Sequence, residues 1–128
     1  MSRILLDTSA YSAFMRGDGA VVQSLREARE IGLTPVVLGE LLAGFRRAAR
    51  RKENEALLAR FLASPRVRVF AVDEETADRY ALILNALRAA GTPVPTNDLW
   101  IAASAMQHGF KVLTTDAHFA KIPQVALA

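Results

Sequence analysis

The stretch Thr96-Asn97-Asp98-Leu99-Trp100-Ile101-Ala102-Ala103-Ser104-Ala105-Met106-Gln107-His108-Gly109 decides how this chain is read. It predicts a helix marked at both ends. Thr96 or Asn97 is placed to cap the start, and Gly109 to supply the left-handed residue just past the end. Between them nearly every residue is apolar or small. A helix with so little polar face belongs in the interior. Asp98, in the first turn, is the only Asp, Glu, Lys or Arg between residues 89 and 110. A carboxylate entering an apolar environment costs several kcal/mol, about the amount a partner must return. No basic residue nearby in sequence offers that partner.

The pattern recurs three times. Asp7 is the only formal charge between residues 4 and 15, Glu40 between residues 32 and 45, and Asp116 between residues 112 and 120. The remaining acidic residues lie in visibly charged segments. Four isolated acids in four apolar segments point to one shared site. Carboxylates gathered there would repel by about 4 kcal/mol per pair at roughly 4 Å and an effective dielectric near 20. Raised pKa values or bound cations relieve such repulsion. Oxygen ligands suit hard divalent ions, so Mg2+ or Mn2+ is the expected cofactor. The competing reading is local: an Asp after a strand or at a helix start commonly serves only as a cap. Glu40, inside an apolar helix, fits that reading poorly.

Working outward, strands alternate with helices. Residues 3–6 read as a short buried strand ending at Asp7, with Thr8 or Ser9 capping a helix to about residue 15. Residues 20–31 read as an amphipathic helix closed by Gly32. Leu33 and Thr34 form a minimal extended link, and Pro35 opens a helix to about residue 49 under a Thr34 cap. Residues 53–63 are helical. Val67, Val69, Ala71 and Val72 belong to a second strand. Asp73 caps a long helix to about residue 90, with acids in its first turns as the helix dipole prefers. After the Asp98 helix, residues 111–114 form a strand that leads to Asp116, and residues 124–127 a final edge strand. Such alternation implies right-handed crossovers and a mainly parallel α/β sheet of about four to five strands flanked by helices. Sites in these sheets form beyond the carboxyl ends of strands, where Asp7 and Asp116 fall. Tyr11, Phe14 and Trp100 read as core or contact residues, and His108 as a surface residue near a helix end.

With 128 residues, residues 1–128 are expected to form one domain. The chain has no cysteine, which excludes disulfides, thiolate metal sites and cysteine nucleophiles, and suits a reducing cytoplasm. No apolar run is long enough to span a bilayer, and the opening run is too short for a signal peptide. Sixteen Lys and Arg face 13 Asp and Glu, for a net charge of +3. With the four isolated acids set aside, the rest is more strongly basic, which favours an anionic partner such as RNA. Arg46, Arg47, Arg50, Arg51 and Lys52 cluster at a helix junction. They read equally as an RNA-binding track, a solvated helix face or a protein contact.

Four segments together carry a resemblance: Ile4-Leu5-Leu6-Asp7-Thr8-Ser9, Glu40-Leu41-Leu42-Ala43-Gly44, Asn97-Asp98-Leu99-Trp100-Ile101-Ala102-Ala103 and Leu113-Thr114-Thr115-Asp116-Ala117-His118-Phe119. In order and spacing they resemble the PIN-domain endoribonucleases, and more closely the VapC-type toxins of bacterial toxin–antitoxin pairs. The resemblance implies a small doubly wound PIN-like sheet and Mg2+- or Mn2+-dependent hydrolysis of RNA, with transfer RNA the first substrate to test. It also implies a homodimer and inhibition by a VapB-type antitoxin. By position, Asp7, Glu40, Asp98 and Asp116 match the acidic catalytic and metal-site residues. Thr8, Ser9 and Thr114 match polar positions around them. Some relatives carry a further acid shortly after the last aspartate; here His118 and Phe119 stand there. The alternative function is a non-catalytic RNA-binding or regulatory module that keeps the acids as caps. Phosphatases on similar sheets place a second Asp two residues after the first, where this chain has Ser9. Receiver domains need paired acids that are missing before Asp7.

Overall fold

The computed structural model describes residues 2–128. The elements run β1 (Arg3–Leu6), α1 (Thr8–Met15), α2 (Gly19–Glu27), β2 (Glu30–Leu33), α3 (Pro35–Arg47), α4 (Arg51–Leu62), β3 (Val67–Val69), α5 (Glu74–Ala90), α6 (Thr96–His108) and β4 (Lys111–Leu113). A short 3-10 turn, Ala117–Lys121, follows β4. The four strands pair in parallel in the order β3-β2-β1-β4. The chain therefore builds the sheet outward from β1 to β3, then returns to add β4 on the other side of β1. This reversal leaves a crevice between the carboxyl ends of β1 and β4, the position where such sheets hold ligands.

The core sits on the two faces of β1 and its neighbours. Ile4, Leu5, Leu6, Ile31, Leu33 and Val112 are almost fully enclosed, as the continuous apolar runs of central parallel strands require. Gly32 in β2 is imposed by packing: a Cβ there would stand 2.6 Å from Phe70 Cε2 and 2.9 Å from Leu5 Cδ1. As expected, α6 is buried, with Leu99, Ile101, Ala102, Ala103, Ser104 and Ala105 inside, and it packs along α5. Its small residues let the helix lie close.

Several boundaries differ from the sequence expectation. The helix expected over residues 20–31 stops at Glu27, because Ile31 pairs with both Ile4 and Val67 in the sheet. That pairing overrides local helical periodicity. Only Val67–Val69 of the second strand pairs; beyond it Phe70 is buried, while Ala71 and Val72 are exposed. Residues 124–127 make a single bridge, Val112 to Leu127, rather than an edge strand. Neither Thr96 nor Asn97 caps α6: both are helical, and Pro95 occupies the cap position with no side-chain bond. Asp7, not Thr8 or Ser9, caps α1. Thr34 and Asp73 cap α3 and α5 as expected. Trp100 is only half-buried and stacks on Tyr80 at 4.1 Å. His108 is not a surface cation. Its ring stacks on Phe70 at 3.9 Å, its Nε2 is buried without a partner, and burial lowers its pKa.

Candidate active site

Asp7 leaves the end of β1 and turns the chain into α1. Its carboxylate is 4% exposed and fully engaged. Oδ1 accepts the Ala10 N–H at 2.8 Å, capping α1, and the Ser9 hydroxyl reaches both oxygens at 2.8 and 2.9 Å. The Thr114 hydroxyl donates to Oδ2. Thr114 follows β4, so this bond closes the crevice between β1 and β4. The same hydroxyl accepts the Asp116 N–H at 2.9 Å, and Ser9 Oγ accepts the Thr115 N–H at 3.0 Å. Ser9 and Thr114 thus hold the two aspartate-bearing loops in fixed relation.

Asp116 begins the 3-10 turn, where its Oδ1 accepts the His118 N–H at 2.8 Å. That tight turn brings the His118 ring back over the carboxylates. His118 Nδ1 lies 3.0 Å from Asp116 Oδ1 and 2.9 Å from Asp98 Oδ2. The partner that Asp98 needs is therefore a histidine 20 residues further along the chain. Asp98 enters from the first turn of α6 and is mostly buried, its side chain 16% exposed. Burial raises its pKa, and the charges of Asp116 and Asp7 push the same way; His118 opposes them. One ligand atom each from Asp98, Asp116 and His118 lie within 4.8 Å of one another, close enough to share one cation.

Glu40 is brought to the rim of this group rather than into it. The Thr8 hydroxyl donates to Oε1 at 2.7 Å and the Asn97 amide to Oε2 at 3.2 Å. Glu40 itself is exposed, and Gly39 and Ala43 also face solvent, whereas Val37 and Leu41 of the same apolar helix are buried. Sequence reasoning missed two partners, His118 and Asn97. For His118 the available signal was its spacing two residues after a turn-forming Asp.

The basic cluster is exposed at the end of α3 and the start of α4. Arg50 pairs with Glu53 at 2.9 Å and Arg51 with Glu55 at 3.2 Å. Among the described residues, Arg46 and Arg47 make no ion pair. Arg47 lies seven residues after Glu40, about two turns or ~10 Å along the same helix face.

Capping accounts for Asp7 and Asp116 but not for Asp98 or Glu40; Asp7, Asp98 and Asp116 lie together where the sheet reverses, with Glu40 at the rim. A crevice of carboxylates at a parallel sheet's switch point defines a class, the acid-lined α/β sites suited to a cation and a phosphate. Comparison with known proteins is consistent with that class. The PIN domain matches residues 4–125. Ribonuclease VapC4 of Mycobacterium tuberculosis is 38% identical over 96 residues, covering 75% of this chain and 74% of the relative. Ribonuclease VapC5 of the same organism is 31% identical over 125 residues, covering 95% and 89%. A solved structure of VapBC-5, a member of the VapBC family of toxin–antitoxin systems from that organism, shares a TM-score of 0.77 at 29% identity, covering 98% of this chain and 94% of that one. The chain belongs to the PIN-domain family and, within it, to the VapC ribonucleases. Among the described residues, no helix is long and apolar enough to cross a membrane.

Proposed function

We propose that this chain is the toxin of a toxin–antitoxin pair, an endoribonuclease that hydrolyses RNA phosphodiester bonds with a divalent cation, Mg2+ or Mn2+. The observation that carries this reading is the convergence of Asp7, Asp98 and Asp116 at the β1–β4 crevice. The donor set fits a divalent cation: Asp98 is mostly buried, and burial first, then the neighbouring charges of Asp116 and Asp7, disfavours its ionised form, which a cation would stabilise. A bound divalent ion supplies charge that polarises a phosphate and makes a bound water more acidic.

The chain's own residues do the rest. Asp98 and Asp116 hold the ion, with Asp7 behind them held rigid by Ser9, Thr114 and the Ala10 N–H. Thr114 keeps the Asp7 carboxylate in one rotamer, the kind of support that governs metal affinity. Glu40, fixed between Thr8 and Asn97, faces solvent at the rim, where it orients the attacking water. Arg46 and Arg47 contact RNA phosphates on the path leading away from Glu40. The partners in this reading are RNA, a VapB-type antitoxin and a second copy of the chain. The apolar hollow lined by Leu84, Leu87 and Leu99 offers a face for that pairing.

The test is cleavage of a total RNA pool that includes transfer RNA, with Mg2+, with Mn2+ and with chelator, against Asp98→Asn. Discrete metal-dependent fragments missing from the variant are expected. RNA binding without cleavage by well-folded protein would overturn the reading and favour a binding module, the role compatible with Asp7 and Asp116 acting only as caps.

A further inference from the structure

We propose that His118 is a direct ligand of the divalent cation, and that it makes this site prefer Mn2+ and later first-row ions over Mg2+. The inference rests on the cation site proposed above and concerns which ion that site selects. His118 Nδ1 has two carboxylate oxygens as near neighbours, at 2.9 Å on Asp98 and 3.0 Å on Asp116. Ligands at right angles around an ion, each bonded at ~2.1 Å, are about 3.0 Å apart. Two edges of such an octahedral face, both meeting at His118 Nδ1, are thus already at that spacing, and ligand atoms of the three residues lie within 4.8 Å of one another. Nδ1 is the ring atom next to both carboxylates, so with the ring proton carried on Nε2 its lone pair is available to an ion placed between them.

Neither the turn nor the core demands a histidine at this position. The backbone N–H of residue 118 makes the bond that caps the turn, and any residue but proline supplies it. The side chain is 41% exposed, so no packing requirement fixes it. What the imidazole adds is a nitrogen donor among oxygens. Mg2+ favours oxygen ligands and retained water, whereas affinity for nitrogen rises from Mn2+ through Co2+ and Ni2+. An imidazole in the ligand set therefore favours those ions, while Mg2+ gives up little when a water replaces the ring.

The experiment uses the full-length protein and His118→Ala, titrated separately with Mn2+, Co2+ and Mg2+ by calorimetry. Pulsed electron paramagnetic resonance of the Mn2+-loaded forms accompanies the titrations. Wild type should bind Mn2+ and Co2+ at least about tenfold more tightly than Mg2+. His118→Ala should weaken Mn2+ and Co2+ by about tenfold or more and Mg2+ by less than about threefold. Nitrogen coupling to bound Mn2+ should appear in wild type and vanish in the variant, a signature that a purely structural role for His118 would not produce. Mn2+ bound without nitrogen coupling, or equal affinities in both proteins, overturns the ligand assignment and leaves the carboxylate site standing. A wild-type protein that binds none of the three ions overturns both.

Discussion

Replacing Asp7 separates its two roles, because alanine and asparagine remove different things. Alanine removes the cap on α1, worth about 0.5–2 kcal/mol. It also removes the charged acceptor of the Ser9 and Thr114 hydroxyls, bonds worth about 1.5–3 kcal/mol each when intact. Two features reduce that loss. Ser9 Oγ still accepts the Thr115 N–H and Thr114 Oγ1 still accepts the Asp116 N–H, and the two hydroxyls lie 3.3 Å apart, so one can donate to the other. Loss of the Asp7 charge also relieves Asp98, whose pKa it raises. The expected net cost of Asp7→Ala is about 2–3 kcal/mol, roughly 10 °C in melting temperature for a domain of this size. Asparagine keeps an oxygen for the Ala10 N–H and places an amide where Thr114 can accept from it. Asp7→Asn should therefore stay within about 1 kcal/mol of wild type in chelator. Both variants should lose metal-dependent cleavage. Thermal and urea melts in chelator, read beside RNA cleavage, check this. Asp7→Ala melting with wild type, or Asp7→Asn falling as far as Asp7→Ala, would refute the view that one carboxylate serves both helix and site.

Asp98 should make metal-free stability depend on pH. Its folded pKa lies above the ordinary 3.8, so the native state binds this proton more tightly than the unfolded chain, and stability should rise as pH falls from neutral through the raised value. Asp98→Asn should flatten that rise in urea melts run against pH. Asp73 works the other way, with a pKa lowered mainly by the Thr76 N–H, and its contribution is lost only below 3.8. The double change Arg46→Ala, Arg47→Ala should raise KM for RNA and reduce the slope of log affinity against log salt by about 1.4, with kcat little changed. The corresponding change at Arg50 and Arg51, already paired with Glu53 and Glu55, should do less; the reverse ranking in salt titrations would exclude the α3 track. Gly32→Ala should lower stability by about 1–3 kcal/mol by forcing Phe70 and Leu5 apart, visible as a reduced urea midpoint.

What the sequence conveyed about the fold was its local and periodic part. Alternating strands and helices, the Thr34 and Asp73 caps and the buried character of α6 all follow from neighbours a few residues apart. The misplaced boundaries share another cause. Residues 28–31 continue an amphipathic pattern, yet Ile31 is claimed by Ile4 and Val67, partners distant in sequence. Asn97 was expected to cap its own helix, but its amide is spent on Glu40, 57 residues away. The order β3-β2-β1-β4 is likewise a property of non-local pairing, which no window of the chain contains.

The site divides in the same way. Isolation of charge marked Asp7, Glu40, Asp98 and Asp116 as candidates, on the argument that an unpaired carboxylate in an apolar segment needs a distant reason. It could not say which acids would be enclosed, since Glu40 ends at the exposed rim while Asp7 is sealed. Nor could it decide between cap and site, because the structure makes these one arrangement. The hydrogen bond that starts α1 fixes the Asp7 rotamer, and the bond that starts the 3-10 turn fixes Asp116 and returns His118 over it. Helix initiation thus aims the groups before any ion or phosphate arrives. Burial, and after it the charges of Asp116 and Asp7, raises the pKa of Asp98, and in the function proposed above a bound cation would relieve that penalty. The two capping aspartates are thus held by the fold itself, while Asp98 enters from the first turn of α6 without a capping role.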